Sequence, residues 1–197
     1  MDSAFLSISA AILLDINNLT IAKNKSKVLN KLRKFTLNNK FKNRMTELKE
    51  GMKAPMFEGI DQNGNQVNLI DFAGKKVVLY FYPKDNTPGC TAEACNFRDN
   101  YSTLLKEGFA VVGVSMDSEK SHKGFAEKYS LPFPLIADTT KKILNDYGVW
   151  RLKKLYGKSF LGIARTTFII DENGIIEKII SKVETKNHTE QIFKMYK

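Results

Sequence analysis

The stretch Val77-Val78-Leu79-Tyr80-Phe81-Tyr82, followed by Pro83-Lys84-Asp85-Asn86-Thr87-Pro88-Gly89-Cys90-Thr91-Ala92-Glu93-Ala94-Cys95, decides how this chain folds. From Lys76 to Tyr82 the residues form a continuous apolar run of strand length, the pattern of a central strand covered on both faces. Turn residues follow, and then a segment with helical spacing. Both cysteines of the chain lie in this stretch. A thiol at a strand-to-helix junction meets backbone N–H groups without partners and the positive end of the helix dipole. That setting favours the thiolate, which is the reactive form.

Working outward, Asp61-Gln62-Asn63-Gly64-Asn65 with Val67 and Leu69 reads as a hairpin turn and its return strand. The spacing predicts a helix over 91–106, with Ala94, Phe97, Tyr101, Leu104 and Leu105 on one side. Residues 109–115 read as a second buried strand, 119–129 as a helix, and Pro132 and Pro134 as an extended passage into Leu135-Ile136-Ala137. A short helix over 141–147 ends at Gly148. Strands over 165–170 and 175–180 are joined by Asp171-Glu172-Asn173-Gly174, and a helix is expected over 188–196. Strands alternating with helices, then a hairpin and a helix, give an α/β sheet with an antiparallel portion, in one domain over 46–197.

With 197 residues, 43% of them apolar, there is enough chain for one ordinary core. Two cysteines exclude a secreted disulfide scaffold. Residues 1–44 hold nine Lys or Arg against Asp2 and Asp15, a net +7 of the total +10, so the remainder carries only +3. The basic character belongs to a 1–45 extension, read as a disordered arm, a transit-like segment or sequence ahead of a start at Met45. Its apolar run, Ala4 to Leu14, is about half the roughly 20 residues a membrane-spanning helix needs.

The chemistry centres on Cys90. Thr87 is placed to cap the helix with its hydroxyl, and Pro88 suits the first helical position. Gly89 leaves room for a small ligand to approach the backbone. A small, polar electrophile such as a hydroperoxide fits there: the thiolate attacks one oxygen, donors stabilise charge on the other, and Cys90 becomes a sulfenic acid. Cys95 lies five residues on. On an intact helix that separation puts the two Cα atoms roughly 8.7 Å apart, beyond the span of about 7 Å that a disulfide tolerates. A bond between them therefore requires the turn to unwind. Only His122 and His188 could join the thiols around a metal, and neither has ligand spacing. Glu93 reads as a complement to the helix dipole, Pro83 as a strand terminator, and Arg165 as a residue at a strand start.

Pro83-x-x-x-Thr87-x-x-Cys90, with Arg165 ahead of Thr166-Thr167-Phe168-Ile169, resembles the active-site signature of the peroxiredoxins. The longer string from Tyr80 to Asp99 is similar to the bacterioferritin comigratory protein, or Q-type, subfamily, as are Tyr147-Gly148-Val149-Trp150 and Lys186-Asn187-His188. The resemblance runs from about Leu48 to the C-terminus. It implies a thioredoxin-like fold with a mixed central sheet flanked by helices. It also implies a peroxidase that reduces hydrogen peroxide and organic hydroperoxides to water and alcohols and protects against oxidative stress. By the same resemblance Cys90 would be the peroxidatic cysteine and Cys95 the resolving one, joined in an intramolecular disulfide. Thr87 would hydrogen-bond thiolate and peroxide, and Pro83 would shield the pocket. Arg165 would lower the pKa of Cys90 and, with Gly89 and Thr87, bind the peroxide. Thioredoxin or a similar dithiol protein would reopen the disulfide. The resemblance implies no metal, haem or flavin, no nucleic acid, no membrane span, a monomer and a cytoplasmic location, or an organelle if residues 1–44 are a transit peptide.

Two other readings stay open on sequence. A general thiol–disulfide oxidoreductase on the same fold is opposed by the lack of C-x-x-C and by Thr166-Thr167 where thioredoxins would place a cis-proline. A protein that uses its basic arm on nucleic acid or anionic membrane is opposed by a basic segment, 23–44, with only Phe35 and Phe41 as aromatics and no base-reading module.

Overall fold

Strand β3 (Lys76–Phe81) runs through the middle of the fold, and its residues alternate between two buried layers. Val77, Leu79 and Phe81 point into one layer, and Val78 and Tyr80 into the other, where Tyr82 follows the same alternation. Both faces are covered, which is why the run shows no polar alternation. The computed structural model describes residues 47–155 and 157–196. The 1–45 extension lies outside the described residues.

Ahead of β3, strands β1 (Glu58–Ile60) and β2 (Gln66–Asn68) form the expected antiparallel hairpin. The backbone amides of Asn63 and Asn65 both donate to Asp61 Oδ1 in its turn. After β3 come helix α1 (Pro88–Asp99), helix α2 (Tyr101–Lys106), strand β4 (Phe109–Ser115), helix α3 (Glu119–Tyr129), strand β5 (Leu135–Ala137) and helix α4 (Lys142–Asp146). Strands β6 (Trp150–Leu155), β7 (Lys158–Ile163), β8 (Thr166–Ile170) and β9 (Ile176–Ile180) and helix α5 (His188–Phe193) complete the order. Five strands make a mixed sheet in the order β5-β4-β3-β8-β9. Strands β3, β4 and β5 are parallel, β8 runs against β3, and β9 runs against β8.

One layer against the sheet holds Phe57, Ile143, Leu144 and Tyr147; the other holds Ala94 and Phe97 of α1, Leu104 of α2, Phe125 of α3 and Ile192 of α5. Gly113 of β4 is required by this packing. A Cβ there would lie 2.8 Å from the Tyr80 ring and 2.7 Å from Leu135, closer than carbon atoms approach.

Two elements differ from expectation. The helix foreseen over 91–106 is two helices, broken at Asn100, whose side-chain amide donates to the Asn96 carbonyl at 2.8 Å. An asparagine that bonds the preceding turn competes with the helix for its own backbone. Leu105, expected on the apolar side, is 47% exposed. The antiparallel β6–β7 hairpin was not foreseen. Leu152, Phe160 and Leu161 are all exposed on it, so no buried face imposes a period-2 pattern on Trp150–Leu155. Among the described residues no helix is long and apolar enough to cross a membrane.

Candidate active site

Strand β8 pairs antiparallel with β3 in a register that sets Thr166 opposite Phe81. Arg165, one residue ahead of β8, therefore arrives at the same end of the sheet from which the chain leaves β3 for α1. The carboxyl ends of parallel strands are where open α/β sheets place their ligands. Sequence positions 90 and 165 meet there.

Helix α1 starts as expected in its backbone. Thr87 is extended, Pro88 takes the first helical position, and the Thr91 amide is the first to reach a helical carbonyl, that of Thr87 at 2.8 Å. The amides of Gly89 and Cys90 thus sit in the turn whose donors have no helical acceptor. The cap itself differs from expectation. Thr87 Oγ1 donates to the Lys84 carbonyl at 2.9 Å and makes no capping bond to the helix. Its hydroxyl closes the loop before the helix, and its lone pairs remain able to accept. Pro83 is exposed at the strand exit, and Gly89 is half-buried. A Cβ on Gly89 would stand 3.4 Å from Arg165 Nη2, so the glycine leaves that donor uncovered.

Cys90, Glu93, Ala94 and Phe97 are the buried residues of α1, a stripe at i, i+3, i+4 and i+7. Cys90 is 1% exposed, and its Sγ lies 3.1 Å from Arg165 Nη2. Glu93, expected to complement the helix dipole, is instead wholly buried. Its Oε2 pairs with Arg165 Nη1, and its Oε1 lies 3.1 Å from Nδ1 of the wholly buried His188. Burial works against the charge on Arg165, but Glu93 and Cys90 outweigh it, and the Arg165 pKa rises above its ordinary value. Tyr80 faces the same site with its hydroxyl unpartnered among the described residues. Burial, then Glu93, Asp85 and Cys90, hold its pKa well above the usual phenol value, so it stays a neutral donor.

A second polar cluster fixes the loop between β3 and α1. Asp85 is buried and accepts from Tyr82 Oη at 2.8 Å and Ser121 Oγ at 2.7 Å, with His122 Nδ1 at 2.9 Å. The Asp85 amide donates to Asp117 Oδ2 at 2.9 Å. Burial raises the Asp85 pKa, but His122, Ser121 and Tyr82 together bring it below the ordinary value. Sequence reasoning passed over Asp85, Glu93 and His188 as site residues. The helical stripe was the available signal for Glu93, an acid at a position the spacing reserves for buried side chains.

Cys95 lies outside that stripe, half-buried, and both thiols are free within the unbroken α1. Among the described residues no group of three or more His, Cys, Asp or Glu side chains is placed to hold a metal ion.

Known proteins resemble this chain in sequence and fold. Residues 51–179 match the model of the AhpC/TSA family. Peroxiredoxin Bcp of Bacillus subtilis is 45% identical over 147 residues, 75% of this chain and 94% of the relative. Peroxiredoxin Bcp of Escherichia coli K12 is 44% identical over 153 residues, 78% of this chain and 98% of the relative. Among solved structures, the bacterioferritin comigratory protein of Xanthomonas campestris, studied for its alkyl peroxide reduction activity, superposes with a TM-score of 0.69 at 33% identity, over 75% of this chain and 96% of its own.

Proposed function

The chain belongs to the AhpC/TSA family and is a thiol peroxidase of the peroxiredoxin Bcp or Q type, with a thioredoxin-like fold, and on that premise we propose that Cys90 is its peroxidatic cysteine and Cys95 its resolving cysteine. The observation that carries this is the Arg165 Nη2 donor 3.1 Å from Cys90 Sγ at the first turn of a helix. A guanidinium stays charged at every working pH and stabilises a thiolate beside it.

The thiolate attacks the nearer oxygen of a hydroperoxide. The O–O bond breaks, and the departing oxygen leaves as water or alcohol once protonated. Cys90 is left as a sulfenic acid. Arg165 and the Gly89 and Cys90 amides stabilise the charge that builds on the oxygens. Thr87, its own proton committed to Lys84, accepts from the peroxide O–H and so orients it; of the two bonds expected of it, to thiolate and to peroxide, this is the one that needs no proton from Thr87. Pro83 lies at the rim. The match of this chain to the X. campestris protein supports alkyl hydroperoxides among the substrates.

Resolution needs α1 to open. The Cys95 thiol then condenses with the Cys90 sulfenic acid, releasing water and forming the disulfide. A dithiol protein of the thioredoxin kind exchanges with that bond and restores both thiols. Dependence on such a reductant suits the cytoplasm. The catalytic domain in this reading begins near residue 46.

Treatment of the reduced protein with one equivalent of hydrogen peroxide tests the scheme. Intact mass spectrometry should show the loss of two hydrogens, peptide mapping should place the bond between Cys90 and Cys95, and far-UV circular dichroism should show lost helix. Cys95→Ser should keep the rate of the first turnover and lose recycling by thioredoxin, and its Cys90 should overoxidise. Full steady-state turnover by that variant would refute the resolving role.

A further inference from the structure

His188 takes no part in the scheme above, yet it is wholly buried and directed at the site. Left alone, a guanidinium and a carboxylate close into a two-stranded pair, with both nitrogens on both oxygens. That does not happen here. Arg165 gives Glu93 only Nη1, to Oε2, while Nη2 lies on Cys90 Sγ. The other carboxylate oxygen, Oε1, is taken by His188 Nδ1. We propose that His188 is a positioning residue for the peroxidase reaction: by occupying Glu93 Oε1 it keeps the Glu93–Arg165 pair single-stranded and leaves Arg165 Nη2 free for Cys90 and the peroxide.

The position of His188 suits this task. It opens helix α5, whose Thr189 amide donates to Asn96 Oδ1 at 2.8 Å, while Asn96 Nδ2 donates to the Lys186 carbonyl at 3.0 Å. The imidazole packs on the Phe97 ring, with centroids 4.9 Å apart. The ring is thus fixed to α1 on two sides, one turn from the sulfur it serves. Its Nε2 has no partner among the described residues. An N–H at Nδ1 faces the carboxylate, and a bare Nε2 leaves no buried N–H unmet. The charged and titratable groups around it are Glu93 and Cys90 from α1, Arg165 ahead of β8 and Tyr80 from β3; Glu190, on α5 itself, is exposed. Without the imidazole, Oε1 becomes a buried carboxylate oxygen with no donor. Arg165 is the charged donor already in contact, and closing on both oxygens draws Nη2 off the sulfur.

This inference rests on Cys90 being the reacting thiol. Its test is the pH profile of iodoacetamide alkylation at Cys90, read by peptide mass spectrometry on the reduced full chain, together with the single-turnover rate with hydrogen peroxide. His188→Ala should move the alkylation midpoint up by about one pH unit and slow the first turnover about tenfold. His188→Asn, whose amide nitrogen overlies Nδ1, should restore most of both. A folded His188→Ala with both readouts unchanged would overturn the proposal. So would His188→Asn losing as much as alanine, since packing alone would then explain the residue. If the alanine variant does not fold, His188→Asn decides: a midpoint near that of the parent protein supports positioning, and a shift as large as that of Arg165→Ala removes it. Cys90→Ser keeps the two readings apart. Peroxide consumption surviving in that variant would sink the role of Cys90, whereas an inactive Cys90→Ser beside indifferent His188 variants would sink only the role of His188.

Discussion

His122 and His188 are both wholly buried, and each sets Nδ1 against a carboxylate, Asp85 in one cluster and Glu93 in the other. His122 also meets the Ile136 carbonyl through Nε2 at 3.2 Å, whereas Nε2 of His188 has no partner among the described residues. The carboxylates differ in the same way. Asp85 draws three side-chain donors, all from the protein. Glu93 shares its Arg165 with a sulfur, and the nearby Tyr80 hydroxyl has no partner among the described residues. A buried network that satisfies all its members rigidifies a fold. One that keeps donors uncommitted holds them ready for an oxygen that arrives from outside. The first cluster fixes the loop that delivers α1, and the second, on the proposed scheme, serves the chemistry at its first turn.

The contrast can be broken by substitution, and the largest expected effect is the plainest. Cys90→Ser should abolish peroxide consumption while leaving the melting curve close to that of the parent protein. In the other cluster, Asp85→Ala strands the His122 ring and should lower the unfolding free energy by about 3–5 kcal/mol, read by urea titration, with peroxide turnover per folded molecule nearly retained. A stable Asp85→Ala with a slow peroxide reaction would erase the distinction between the clusters. Arg165→Ala should instead slow the reaction of the folded molecule itself, by about 2–4 kcal/mol of transition-state stabilisation seen in the single-turnover rate, besides lowering stability because the buried Glu93 carboxylate loses its cation.

The smallest effect is a pH dependence. The Asp85 pKa is held below its unfolded value, which is about 3.9. Its contribution to stability is therefore fully present above that value and is lost as pH falls through the folded one. Urea midpoints measured from pH 6 down to 3 should fall in the acid range, and Asp85→Asn should flatten that part of the curve. An unchanged slope in Asp85→Asn would mean that other carboxylates govern acid unfolding.

The legible parts of this protein are those whose cause is local. The apolar run of β3 announces burial on both faces, and Thr87-Pro88-Gly89 announces a helix start, because strand and cap chemistry act over a few residues. The β6–β7 hairpin is held by backbone pairing and anchored to the core only at its base, by Ile163 and the partly buried Trp150, so its residues carry no alternating burial pattern to read. Thr87 looks like a cap from its type and place, but its hydroxyl turns back to Lys84. The meeting of Glu93 with Arg165 and His188 is illegible for a different reason. An acid near a helix start satisfies the dipole rule by itself, and nothing near it in sequence shows that Arg165, 72 residues on, and His188, 95 residues on, converge upon it.

Asn96, next to Cys95, is also the cover for a distant amide, that of Thr189, 93 positions further along the chain. If the turn carrying Cys95 uncoils as proposed, Asn96 leaves with it and that amide is bared to solvent. Deuterium uptake at Thr189 would then rise and fall with each catalytic cycle, a gauge of sulfur oxidation carried by a residue that contains no sulfur.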